Sequence, residues 1–141
     1  MGLDLFCGDY SIKMGSYSTV HIIRREWILA YIKYLESSTQ KPLVLLNKLI
    51  QEMQYDKINY KTFTRISSDH EGFQGLKIFV DHSDCEDDWS YEEVESIMQT
   101  LNLIRDHLKA ESSSWHFNGD DYYLEEIFLL SIANQQDIRF G

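Results

Sequence analysis

From Val20 to Leu35 the apolar residues recur at helical spacing. Val20, Ile23, Trp27, Tyr31 and Tyr34 step by three and four, and Ile28, Ile32 and Leu35 widen the same face. A stripe this broad needs other elements to bury it, so it sets what the rest of the chain must supply. Ser16 or Ser18 is placed to cap the helix, which runs to about Glu36 and is broken by Ser37-Ser38-Thr39. A second helix is expected from Pro42, which suits a first turn, to about Met53, with Leu43, Leu46, Ile50 and Met53 as its stripe.

A third helix has the clearest start. Ser90 is followed three residues later by Glu93, the pattern in which two side chains satisfy backbone N–H groups reciprocally. Val94, Ile97, Met98, Leu101, Ile104 and Leu108 then share one face, and Ser112-Ser113-Ser114 ends the run. A fourth helix, capped by Asp120 or Asp121, is expected from Tyr122 to about Gln135. It is apolar on most sides and therefore central. Strands are expected at 3–7, at Leu76 to Val80 (paired in a hairpin with 61–66) and at an edge position from Asp137 to Phe140. Asp9 to Ser18 reads as a turn-rich connector containing Gly15. These elements predict an α+β fold, about four helices packed on a small, mainly antiparallel sheet, in a single domain spanning 1–141.

Composition bounds the function. The chain is 43% hydrophobic and 13% aromatic, as expected of a packed core. Thirteen Lys and Arg against 23 Asp and Glu give a net charge of −10, which argues against general nucleic-acid or anionic-membrane binding. No stretch reaches the roughly 18 to 20 apolar residues of a membrane span, and no signal peptide is evident. Phe6 stands where a myristoylation signal wants Ser or Thr. With only Cys7 and Cys85, a cytoplasmic protein with reduced thiols is expected.

Two polar stretches carry candidate chemistry. Gly15-Ser16-Tyr17-Ser18 leads into a helix bearing Arg24 and Arg25. Backbone N–H groups at a helix start, serine hydroxyls and a guanidinium fork together suit an anion. The second stretch is Asp81-His82-Ser83-Asp84-Cys85-Glu86-Asp87-Asp88. As a calcium loop starting at Asp81 it puts Glu86 where the sharp turn needs Gly, and Cys85 at a ligand position. Zinc ligation by His82, Cys85 and Cys7 lacks a second ligand pair. The surrounding carboxylates would raise the Cys85 thiol's pKa and so oppose a nucleophilic role. Glu86, Asp87 and Asp88 suit the positive end of the following helix, which leaves His82, Ser83 and Asp84 as the candidate contacts. No metal and no cofactor are expected. The aromatic turn Trp115-His116-Phe117-Asn118-Gly119 reads as a cover on the core.

Three anchors occur in order: Met1-Gly2-Leu3-Asp4, then Gly15-Ser16-Tyr17-Ser18 before Arg25-Glu26-Trp27, then His82-Ser83-Asp84-Cys85-Glu86. This order resembles a group of small bacterial and phage proteins that has no established activity. This chain has Asp87 where those proteins have Gly. The resemblance implies a site map and a viral or prophage setting, and it supplies no chemistry. On that map Ser16, Tyr17, Ser18, Arg24 and Trp27 face His82, Ser83 and Asp84 across one pocket. The leading expectation is a non-enzymatic protein that binds a small polar or anionic molecule, nucleotide-derived in one version, and sequesters a host signal. The alternatives are a metal-assisted hydrolase with His82 and Asp84 as acid/base groups, and an acidic inhibitor of a basic protein partner.

Overall fold

A computed structural model describes residues 2–37, 71–80, 88–111, 117–118 and 121–141. Strand β1 (Gly2–Cys7) and strand β2 (Tyr10–Ser16) form a hairpin, closed at Cys7 and Tyr10 by a two-residue Gly8-Asp9 turn. Gly8 takes φ +60, the conformation that the first central residue of a type II′ hairpin turn requires. Residues expected to form a connector are therefore mostly strand. The signal for it was present, since Gly-Asp between two alternating runs is a hairpin marker. The register shifts between Leu3 and Asp4, so Met14 stands between the partners Gly15 and Lys13 as a bulge.

The sheet has the order β2-β1-β6-β3, all antiparallel, with β3 at Asp88–Trp89 and β6 at Ile138–Phe140. Strand β6 was expected at an edge and lies inside the sheet. Ile138 and Phe140 are buried while Arg139 is exposed, and both its flanks are paired. Leu3, Leu5 and Cys7 of β1 join Ile138 and Phe140 on the inner face, under the helices. The opposite face carries Asp4, Phe6, Ser11, Lys13 and Arg139, with the Arg139 guanidinium 5.4 Å from the centre of the Phe6 ring. One covered and one polar face is the usual arrangement for an antiparallel sheet. A separate two-stranded ribbon pairs β4 (Phe117–Asn118) with β5 (Asp121–Tyr122).

Four helices lie among the described residues: α1 (Tyr17–Ser37), α2 (Phe73–Val80), α3 (Tyr91–Glu111) and α4 (Glu125–Asn134). With the sheet they make the α+β fold that the pattern predicts. The helix expected from Pro42 to Met53 lies outside the described residues, as do 61–66. Helix α3 is central to the helical layer and packs on α1, α2 and α4. Its capping box is formed: the Ser90 N–H donates to Glu93 Oε1 at 3.1 Å, and the Glu93 N–H donates to Ser90 Oγ at 3.1 Å. Helix α4 starts later than expected. Asp121 and Tyr122 pair in β5, and the N-cap is Leu124, with no side-chain cap. It ends at Gln135, whose N–H donates to the Ile132 carbonyl at 3.3 Å and whose left-handed φ of 51 turns the chain so that the Gln136 N–H returns to the Ser131 carbonyl at 3.0 Å.

The stretch Leu76 to Val80, expected as a strand, is the C-terminal part of α2, and its expected partner 61–66 lies outside the described residues. Leu76, Ile78 and Val80 alternate, but Phe73, Leu76, Phe79 and Val80 are the buried side chains, and those step by three, three and one. Packing selects the helical period. The Tyr31 hydroxyl donates to the Glu71 carbonyl at 2.9 Å and the Thr100 hydroxyl to the Gly72 carbonyl at 2.5 Å. These two bonds, from α1 and α3, hold the turn ahead of α2. Gly75 then lets the α2 backbone lie against α3, since a Cβ there would stand 2.0 Å from the Ser96 carbonyl oxygen.

An aromatic run fills the interior. Trp27 stacks on Phe79 at 3.9 Å, Phe79 on Trp89 at 5.6 Å, and Trp89 meets Phe140 edge-on at 4.6 Å. Each such pair contributes about 0.5–1.5 kcal/mol beyond the area it buries. The run ties α1, α2, β3 and β6 into one core.

Candidate functional site

The first polar stretch forms a defined corner. Ser16 closes β2 and caps α1: its Oγ accepts the Thr19 N–H at 3.3 Å and lies 3.1 Å from the Thr19 hydroxyl. Of the two serines proposed as the cap, Ser16 is the one used. Tyr17 opens the helix, and Ser18, in its first turn, is exposed. The first turns of α3 and α4 each carry two acids, whereas that of α1 carries none. No carboxylate in that turn counters the positive end of its dipole.

The next turns carry the chemistry. His21 is half-buried, and its Nε2 is buried without a hydrogen-bond partner. It lies three residues from Ser18 and three from Arg24, so the three side chains follow one face of α1. Arg24 is only 4% exposed and is engaged in contacts within the fold. At the helical rise, Ser18 and Arg24 are about 9 Å apart along the axis.

Trp27, expected to face a ligand, is instead a core residue. It is 0% exposed, stacks on Phe79, and donates its Nε1 proton to the Tyr122 hydroxyl at 3.0 Å. Glu26 beside it is 9% exposed. Burial pushes the Tyr122 and Tyr123 phenols well up, and the Glu26 charge adds to both shifts, so the hydroxyls stay protonated. Neither His21 nor Glu26 was singled out in the sequence. His21 had a readable sign, its three-residue spacing to Ser18 and Arg24. Glu26 stood only within the anchor Arg25-Glu26-Trp27, with no role attached.

His82, Ser83 and Asp84, together with Cys85, lie outside the described residues. Both flanks of 81–87 are fixed, however. Phe79 stacks on Trp27, and Trp89 packs on Phe79 and on Phe140. The chain thus leaves and rejoins the described fold beside one core cluster, at the level of α1 just after Arg24.

Among the described residues no group of three or more His, Cys, Asp and Glu side chains is placed to hold a metal ion. Ser37 Oγ lies 3.5 Å from His107 Nε2, but its proton is donated to the Tyr34 carbonyl at 2.9 Å. A serine activated by histidine needs that proton directed at the imidazole. Cys7 is buried, and burial pushes its thiol pKa up, with the Asp137 charge adding to the shift. A thiol so placed is inert as a nucleophile. No helix among the described residues is long and apolar enough to cross a membrane. Comparison with known protein families, with curated proteins and with solved structures finds no match.

Proposed function

We propose that this protein binds a small polar or anionic molecule, nucleotide-derived in one version, at the opening turns of α1. The observation that carries the reading is His21. A buried polar atom without a partner costs about 1–3 kcal/mol, and a ligand oxygen or N–H placed beside Nε2 offsets that cost. Whether the nitrogen donates or accepts depends on the tautomer. The helix dipole, with no acid in the first turn, favours a negative ligand at the same end. Arg24 adds positive charge behind it, and Ser18 supplies an exposed hydroxyl. His82, Ser83 and Asp84 are proposed as the facing wall, a placement favoured by the anchoring of Phe79 and Trp89 next to Trp27. The resemblance to phage proteins extends the proposal to sequestration of a host signal molecule.

Calorimetric titration with inorganic phosphate, nucleoside phosphates and cyclic nucleotides tests this directly. The expected result is saturable heat with at least one of these, weakened about tenfold by His21→Leu, the equivalent of one hydrogen bond near 1.4 kcal/mol. A folded protein that gives no heat at millimolar ligand overturns the proposal. Equal affinity in His21→Leu moves the site away from α1.

A further inference from the structure

We draw no further inference here: the strongest candidate, the exposed outer face of the four-stranded sheet where Arg139 lies over Phe6 with Lys13 and Asp4 alongside, carries nothing because nothing in the structure shows what would cover it.

Discussion

Gly75 and Thr100 meet where α2 crosses α3, and both can be tested by small changes. Alanine is favoured over glycine inside a helix by about 1 kcal/mol, so an unconstrained Gly75→Ala would stabilise. Here the added Cβ falls 2.0 Å from the Ser96 carbonyl oxygen and 2.3 Å from Thr100 Oγ1. The first obstacle is backbone in the middle of a long helix and cannot turn aside. The crossing must widen, at about 1–3 kcal/mol or more, which outweighs the propensity gain. A urea midpoint lowered with an unchanged slope is the expected result, and a raised midpoint would show the crossing to be looser. Thr100→Val keeps the volume and removes the donor to the Gly72 carbonyl. A loss of about 0.5–1.5 kcal/mol is expected, the net worth of one hydrogen bond, because the Gly72 carbonyl keeps the Leu76 N–H at 3.1 Å.

At the scale of elements, Ser90→Ala should lower stability by about 1 kcal/mol, since it removes the Oγ that receives the Glu93 N–H. The link between α3 and α4 is electrostatic. Arg105 donates to both Glu125 oxygens at 2.6 Å, and these hydrogen bonds hold the carboxyl below its usual range against a smaller opposing effect of burial. A depressed carboxyl pKa contributes stability that is present above the unfolded value and is lost as pH falls through the folded one. Acid unfolding of the wild type should therefore be steeper than that of Glu125→Gln below about pH 4. Superimposable acid profiles would refute that contribution.

The elements that the sequence makes legible are those whose signals agree at more than one level. Helix α3 has its capping box and its apolar face, and α1 has its serine cap and a stripe that runs its whole length. Helix α2 was misread because Leu76 to Val80 satisfies both periods, and the decision came from contacts distant in sequence, Tyr31 and Thr100. At the candidate site the cap and the Arg24 position were readable. The burial of Trp27 was not, because an aromatic beside a polar motif serves a pocket or a core equally well in one dimension.

For the whole molecule, the controlling fact is that Leu5 and Phe6 pair with Phe140 and Arg139. The first strand of the sheet thus waits for residues near the other end of the chain, and β6 in turn carries β3 through Asp88 and Trp89. Had β6 been the edge strand that its short length suggests, its removal would expose one row of backbone groups and little else. As an interior strand it holds β1 and β3 together. Its two inward side chains, Ile138 and Phe140, are 0% and 3% exposed, and Phe140 packs against Trp89 at the end of the aromatic run. Phe140→Ala should cost about 3–5 kcal/mol, a large share of the total stability of a domain this size. Deleting 138–141 should abolish cooperative urea unfolding altogether, because β3 loses its pairing partner and Trp89 loses one wall. The same lesion should abolish the ligand binding proposed at α1, since Trp89 is stacked on Phe79 and Phe79 on Trp27. A truncated chain that still melts cooperatively, near the wild-type midpoint, would return β6 to the edge and break the link between sheet and site.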